Sequence, residues 1–288
     1  MSPSNTKVMA PATRRRTDHR ETPAARRRFP AVSFAAWIGS SSALVLLFIF
    51  GPLANVVLSP DPHVFLETLQ DKEVLRSIGL SMSTSGGAAL IALVFGTPLA
   101  YLLARRDFPG KRLLESIIDL PIMIPHPVVG IALLSIAGRN HWIGDALRHL
   151  GVALMGSVTG IVTVLVFVGM PFFVDAVKAG FESVPARLEN VSRSLGAPPG
   201  ATFFRITLPL SWRHLLVGFI MCMARALSEF GAIIIVAYHP MVAPVLMYER
   251  FTAYGLTYSQ PVAVMLIVVS MLFFLFLRIV SQPKRNAT

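Results

Sequence analysis

Six long stretches of the sequence are almost free of charged residues, and they constrain the fold more than any other feature. A helix of roughly 20 residues is needed to cross a hydrocarbon core about 30 Å thick, and each stretch is close to that length or longer. They lie between Arg28 and Asp61, from Ser77 to Ala104, from Leu120 to Gly138, between Arg148 and Asp175, from about His214 to Ala237, and from about Pro261 to Leu277. The sequence therefore predicts an all-α integral membrane protein with six transmembrane helices over residues 33–281.

Composition excludes the main alternatives to this fold. Only 14% of the residues are charged, whereas a soluble domain carries about 25%. The first apolar stretch follows Arg26, Arg27 and Arg28, but it is longer than the 7–15 apolar residues typical of a secretory signal peptide. We therefore interpret it as an uncleaved span. The single cysteine, Cys222, excludes an internal disulfide framework.

The distribution of Lys and Arg predicts which side of the membrane each loop faces. With the N-terminus inside, the cytoplasmic segments hold 20 of these residues and the outer loops hold 5, a clear positive-inside asymmetry. We therefore expect a multi-pass protein of the plasma (cell inner) membrane with cytoplasmic N- and C-termini. The net charge of +11 is then mostly topological, and no nucleic-acid partner is expected.

Two terminal segments are predicted to lie outside the bundle. Residues 1–32 are rich in Arg and Pro with few large apolar side chains, a composition typical of a disordered tail. Their arginines are placed to contact anionic membrane lipids on the cytoplasmic side. Residues 282–288 form a second, short cytoplasmic tail.

The longest predicted cytoplasmic loop, residues 175–213, contains the segment PARLENVSRSLGAPPGATFFRITLPL. Residues 185–194 predict a short polar helix, which Gly196 ends and the following prolines cannot extend. A second helix is predicted from about Thr202, with Pro209 bending the chain into the fifth span. The loop is either an amphipathic connector on the membrane surface or an element that docks into a groove of a cytoplasmic partner.

Charged and helix-breaking residues inside the spans indicate candidate pathway residues. Arg225 and Glu229 are four residues apart in the fifth span, so they share a helix face and can partly neutralise each other. Each costs roughly 2.5–3.5 kcal/mol at a bilayer centre. The pair either orients the span against its neighbours or lines a central passage, and the sign of its effect on an anion is left open.

The third span contains three prolines around His126, which predict a kink or irregular backbone covered by protein or a watery cavity. His126 itself is either a packed polar residue or a ligand. Ser228 and Gly231, beside Glu229, complete the candidate pathway set. The small residues at positions 81–89 predict close helix packing.

The outer loop at residues 238–261 is apolar and aromatic for exposed chain. It is a re-entrant or gate-proximal segment, a surface that receives a binding protein, or a simple interfacial helix with Tyr248, Tyr254 and Tyr258 at the lipid headgroups. These three interpretations remain open at the level of sequence.

The sequence contains no G-x-x-x-x-G-K-[ST] motif, the loop that cradles nucleotide phosphates. It also offers no nucleophile with a matching base, and no His/Cys/Asp cluster with metal-ligand spacing. We therefore expect a non-catalytic protein that carries no cofactor and no metal.

The 175–213 loop resembles the EAA loop of ABC importer membrane subunits, whose pattern is E-A-A-x3-G-x9-I-x-L-P. Gly196, Ile206, Leu208 and Pro209 fall at the required spacing. The triad departs from the pattern, since its positions hold Asn190, Val191 and Ser192, preceded by Glu189. The resemblance implies a type I ABC importer permease-like bundle and an ATPase-coupling loop formed by Glu189, Asn190, Val191, Ser192, Leu195, Gly196, Ala197, Ile206, Leu208 and Pro209.

Longer strings resemble the oxyanion group of these permeases, for molybdate, tungstate and sulfate. They are ARALSEFGA at 224–232, LPIMIPHPVVGIALL at 120–134 and AYHPMVAPVLMYERFTAYGLTYSQPVAV at 237–264, the last two being most similar to the molybdate/tungstate branch. The resemblance implies a homodimer served by two copies of an ABC ATPase, which binds ATP and Mg²⁺, and by an extracytoplasmic substrate-binding protein. A sulfate or thiosulfate permease stays open, as does a channel or ion-coupled carrier, which would need inverted repeats or titratable residues in several spans.

Overall fold

A computed structural model describes residues 31–138, 141–149, 151 and 153–281. All regular structure within these ranges is helical. The helices are α1 Ala31–Leu58, α2 Pro62–Gln70, α3 Lys72–Ile91, α4 Thr97–Arg105, α5 Lys111–Met123, α6 His126–Ala137, α7 Trp142–His149, α8 Val158–Ser183, α9 Ala186–Ser194, α10 Pro199–Thr202, α11 Leu208–Leu227, α12 Ile233–Val236, α13 Ala243–Tyr254 and α14 Leu256–Ser281. The predicted tails lie outside the described residues, except that positions 31 and 32 begin α1.

The chain divides into two units at Pro52. The first unit contains most of α1, an apolar helix of 28 residues with Pro52 inside it. The second unit, from Leu53 onward, contains every other helix.

Five of the six predicted spans are continuous helices in the described part of the chain, and the predicted third span is a bent pair of helices. Five continuous helices are long and apolar enough to cross a membrane: Phe34–Leu58, Lys72–Arg105, Val158–Ser183, Pro199–Leu227 and Leu256–Ile279. The predicted third span corresponds to two helices, Lys111–Met123 and His126–Ala137, which are bent by 115° and form either a broken span or a re-entrant loop. The kink predicted for the third span is therefore confirmed, and it falls where prolines interrupt the backbone hydrogen bonds.

The fifth span differs from its prediction at both ends. Its helix runs from Pro199 to Leu227 instead of from His214 to Ala237, so the second loop helix and the span are one rod. The helix continues through Pro209, the position at which a bend was predicted. A wider π-helical turn at Phe203–Thr207 precedes this proline, and such a turn accommodates a residue that lacks a backbone donor.

A π-helical turn also precedes a proline in the second span. A π-helical turn at Ala92–Gly96 joins α3 to α4 and ends two residues before Pro98. The offset matches that between Phe203–Thr207 and Pro209. Both long rods therefore pass through a proline without breaking.

Helix α8 is the centre of the second unit and packs against α3, α4, α5 and α11. Its contact with α11 depends on glycines. A Cβ on Gly180 would overlap the Cβ of His214, and a Cβ on Gly218 would lie 2.9 Å from Val177 Cγ2. Small residues at such a seam let two backbones approach closely in a membrane.

The close packing predicted at residues 81–89 is present only in part. Ser81, Ser85 and Ala88 are buried, as expected for a packed helix face. Gly86 and Gly87, however, have open space where a side chain would stand. Close helix approach therefore requires glycine at the seam between α8 and α11 rather than at this pair.

Candidate functional site

The predicted helix–glycine–helix loop is present between α8 and α11. Pro185 precedes α9, and Gly196 follows its last turn with φ of +90°, a backbone conformation that favours glycine. The amide of Gly196 donates to the carbonyl of Arg193 at 3.0 Å, and that of Ala197 to Ser192 at 3.1 Å, which completes the helix end. The next helix begins at Pro199, three residues earlier than predicted. The segment between the long helices is therefore 184–198, shorter than the predicted loop.

Helix α9 presents apolar side chains to solvent. Leu188, Val191 and Leu195 are all exposed, and Leu195 is 83% exposed. Asn190 is exposed too, whereas Ser192 is half-buried and its hydroxyl lies 3.0 Å from that of Thr202. This contact ties α9 to the start of the following helix. The exposed leucines and valine form what we call the α9 apolar face.

Glu189 does not lie on the α9 apolar face, because it turns toward the transmembrane helices. Its Oε1 accepts hydrogen bonds from Arg105 Nε at 2.8 Å and from Thr207 Oγ1 at 2.9 Å. Its Oε2 accepts from the hydroxyl of Tyr101 at 3.1 Å. Arg105 also donates to the carbonyl of Val184 at 2.9 Å. These contacts link α9 to the second span and to the π-helical turn of the fifth; we call Glu189, Arg105, Tyr101 and Thr207 the Glu189 cluster.

The Glu189 cluster favours the charged carboxylate. Burial raises the pKa of Glu189, but the hydrogen bonds from Arg105, Thr207 and Tyr101 outweigh it, so the pKa lies below its ordinary value. A carboxyl whose pKa is depressed on folding stabilises the fold above its ordinary pKa, and the contribution disappears as the pH falls through the folded-state pKa. The cluster is therefore intact at neutral pH and weakens only in acid.

The remaining residues of the predicted loop lie on the fifth-span rod. Ile206 and Leu208 are half-buried and Pro209 is exposed. They are separate from the α9 apolar face and mark the point where the loop becomes the span. Sequence reasoning missed Arg105, Tyr101 and Thr207, for which the only signal was that Arg105 is the first charge after an apolar run.

The predicted pathway residues come together in one cluster at two helix breaks. Helix α11 ends at Leu227 and α6 begins at His126. Arg225 NH2 lies 2.7 Å from Glu229 Oε2 and 2.9 Å from His126 Nδ1, and His126 Nδ1 lies 3.4 Å from Glu229 Oε2. Arg225 NH1 contacts Ser228 Oγ at 3.3 Å. We call these four residues the Arg225 cluster.

Gly231 allows the two breaks to meet. A Cβ at this position would lie 3.0 Å from His126 Cβ and 3.3 Å from Pro127 Cδ, which is tighter than ordinary van der Waals contact. Glycine here lets the chain after α11 pass close to the first turn of α6. All five predicted pathway residues are thus neighbours.

The predicted outer loop at 238–261 contains α13, which is buried at one end. Ala243 to Leu246 are buried, and the amide of Ala243 donates to Ser81 Oγ of α3 at 2.7 Å. Tyr248, Phe251 and Tyr254 farther along are exposed. The loop therefore tucks its first half into the bundle and presents aromatic rings with its second half.

An ion pair fixes α13 to the start of α3. Arg250 NH2 lies 2.5 Å from Asp71 Oδ2. Burial raises the pKa of Asp71, but the Arg250 contact and the backbone amide of Glu73 outweigh it, so the pKa lies below its ordinary value. The charged pair is therefore retained at neutral pH.

Comparisons with known proteins agree with this architecture. One similar structure is the crystal structure of a bacterial ABC transporter that imports the acidic polysaccharide alginate. A chain of that transporter superposes on this chain with a TM-score of 0.70 at 18% identity, and the superposition covers 89% of this chain and 96% of the other. The molybdate/tungstate transport system permease protein WtpB of Methanocaldococcus jannaschii is 42% identical over 242 residues, or 84% of this chain and 94% of its own length. The sulfate transport system permease protein CysW of Synechococcus elongatus is 33% identical over 238 residues, or 80% of this chain and 83% of its own.

The fold is that of the type I ABC importer permeases, and the protein is a multi-pass membrane protein. Residues 96–286 match the family described as binding-protein-dependent transport system inner membrane component, and the chain belongs to that family. It is therefore a non-catalytic membrane subunit that works with a separate ATPase and a binding protein. The alternative of an ATPase-independent channel or carrier is set aside by this membership.

Proposed function

We propose that this chain is the permease subunit that moves molybdate or tungstate across the plasma membrane. The support is the 42% identity with a molybdate/tungstate permease across almost the full length of that relative. A sulfate permease is the second candidate, since one such relative is 33% identical. The substrates of both candidate functions are tetrahedral dianions, so the two functions differ in substrate selection and not in mechanism.

The α9 apolar face is the docking surface for the ATPase subunit. An exposed apolar patch outside the lipid marks an interaction site, and Leu195 at 83% exposure is the observation that carries the assignment. ATP and Mg²⁺ are bound by that partner. Two ATPase copies that close on ATP move two α9 helices, one from each copy of a permease homodimer.

The Glu189 cluster passes this movement into the membrane. It joins α9 to Arg105 at the end of the second span and to Thr207 on the rod of the fifth. Rotation of these spans exposes a cavity to the loaded binding protein, and ATP hydrolysis restores the inward-facing state. Lipids surround the outer helices throughout this alternating-access cycle.

Uptake in proteoliposomes tests the proposed function. The chain is reconstituted with its ATPase and binding protein, and ATP-driven uptake of labelled tungstate, molybdate and sulfate is compared. We expect uptake of tungstate and molybdate, with unlabelled sulfate competing poorly. Preferential sulfate uptake would favour the second candidate, and no uptake of any oxyanion would reject both.

Replacing Gly196 by Val is expected to uncouple ATP hydrolysis from transport. Its φ of +90° costs a residue with a side chain about 1–2 kcal/mol, and the turn that orients α9 shifts to relieve the strain. Uptake should fall about tenfold while basal ATPase activity stays within twofold of wild type. Gly110→Val is the matched control, because Gly110 has φ of +89° with equally open surroundings but lies outside the α9 loop. Equal effects of the two substitutions would contradict the coupling role.

Cysteine labelling is expected to place α9 and α13 on opposite sides of the membrane. The native Cys222 is buried, so cysteines introduced at the exposed positions Leu195 and Tyr254 report separately. In intact cells an impermeant maleimide should label Tyr254→Cys, whereas Leu195→Cys should react only after the membrane is opened. Labelling of Leu195→Cys from outside would reverse the proposed orientation.

A further inference from the structure

The two opposite charges of the Arg225 cluster are not equally accessible. Glu229 is 1% exposed. Its Oε1 accepts from the amide of Ala232 at 2.9 Å, and its Oε2 accepts from Arg225 NH2 at 2.7 Å. The carboxylate is therefore buried, and both of its oxygens have hydrogen-bond partners.

The guanidinium of Arg225 keeps an open side. Its side chain is 16% exposed, and its NH2 is the atom that contacts Glu229 and His126. Its NH1 has one weak contact, with Ser228 Oγ at 3.3 Å, and Ser228 is itself exposed. Because a guanidinium carries five N–H donors, donors remain for a molecule that approaches from the Ser228 side.

This open side must face water or protein and not lipid. A charged side chain within a span faces a bundle interior or a water-filled cavity. The backbone is irregular on both sides of the cluster, after Leu227 and before His126, and irregular backbone at membrane depth is tolerated only in the same surroundings. Of the two opposite charges, the carboxylate of Glu229 is the buried one, and the guanidinium of Arg225 is the one that keeps exposed donors.

We propose that Arg225 is a direct contact of the anionic cargo during its passage, and that Glu229 and His126 are positioning residues for its guanidinium. This inference rests on the proposed function, because it names the group that the oxyanion meets within the membrane. The N–H groups of a guanidinium donate to the oxygens of a tetrahedral oxyanion, and the N–H groups of Arg225 that Glu229 and His126 do not occupy lie beside Ser228. The neighbouring carboxylate offsets the positive charge, so the anion binds weakly enough to leave, as conduction requires.

Substitution of Arg225 tests the contact in the reconstituted system. Arg225→Gln should lower oxyanion uptake about tenfold and raise the ATP hydrolysed per oxyanion by a similar factor, because the ATPase cycle continues while fewer ions pass. Arg225→Lys keeps the charge and should stay within threefold of wild type. Arg213→Gln is the matched control; this exposed arginine of the same helix stacks over Trp212 and should leave the ratio unchanged.

The positioning role of Glu229 has its own readout. Glu229→Gln should raise the ATP-to-uptake ratio by a smaller factor, and Glu229→Asp, which keeps the carboxylate, should return it to near wild type. A purely structural role would lower uptake and ATPase activity in proportion, leaving the ratio unchanged, and that result would overturn the proposal. Wild-type uptake and ratio in Arg225→Gln would overturn it as well. Absence of uptake by the unsubstituted assembly would show instead that the proposed function fails, and the inference falls with it.

Discussion

Replacing Glu189 by Gln is expected to reduce oxyanion uptake at least tenfold without preventing ATP hydrolysis. The side chains of Arg105 and Glu189 are 14% and 10% exposed, and removing one charge leaves the other largely buried without its partner. Breaking such a pair costs about 3 kcal/mol. The hydrogen bond that holds α9 against the π-helical turn of the fifth span weakens at the same time. The α9 helix then moves with the ATPase without carrying the spans along.

Uptake and ATPase activity measured on the same proteoliposomes check this prediction. Glu182→Gln is a suitable control, since Glu182 is an exposed carboxylate nearby whose contact with Lys178 is 3.9 Å long. The double variant Glu189→Gln/Arg105→Gln should be less impaired than the sum of the two single variants, because neither charge is then left alone. Wild-type uptake in Glu189→Gln would show that the cluster does not transmit movement.

Replacing Gly180 by Val is expected to destabilise the whole bundle. A Cβ at this position overlaps the Cβ of His214, and a change of side-chain rotamer cannot move that atom, because its position is set by the backbone of α11. Helices α8 and α11 must separate, and overpacking of this kind costs about 3 kcal/mol or more. At 2–4 °C per kcal/mol for a chain of this size, the melting temperature should fall by about 10 °C.

Thermal unfolding of the purified protein in detergent, followed by size-exclusion chromatography, measures this effect. Gly86→Val provides the control, because Gly86 is also in a long apolar helix but has open space around it. Gly218→Val should behave like Gly180→Val, since its Cβ would approach Val177. A melting temperature for Gly180→Val within 2 °C of wild type would mean that the two helices are less closely packed than described.

Apolar stretches reveal where a chain crosses the lipid, but they do not reveal where a helix ends. Five of the six predicted spans are continuous helices, and the prolines around His126 correctly indicated the bend at the predicted third span. The fifth helix begins fifteen residues before its predicted start because polar residues such as Ser211 and Arg213 continue a helix outside the hydrocarbon. The π-helical turn that precedes Pro209 was not predicted, because such a turn depends on the local backbone and has no simple residue signature.

One of the two candidate clusters could be predicted from the sequence, and the other could not. Arg225 and Glu229 were paired from their spacing alone, and the structure pairs them although Glu229 lies just beyond the end of α11. The orientation of Glu189 could not be predicted, because its partner Arg105 is 84 residues away in the chain and only the packing of α4 on α8 brings them together. Sequence spacing therefore predicted the Arg225–Glu229 pair, whereas the Arg105–Glu189 pair depends on the packing of helices that are distant in the sequence.

The uninterrupted helix from Pro199 to Leu227 has a consequence for the size of the movement. At 1.5 Å per residue a helix of its 29 residues is about 43 Å long, with the α9 loop at one end and Arg225 near the other. A tilt of about 10° about one end displaces the opposite end by roughly 7 Å. Under the proposed coupling, a small angular change beside the nucleotide-binding subunit would become a displacement wider than a dehydrated oxyanion at the Arg225 end.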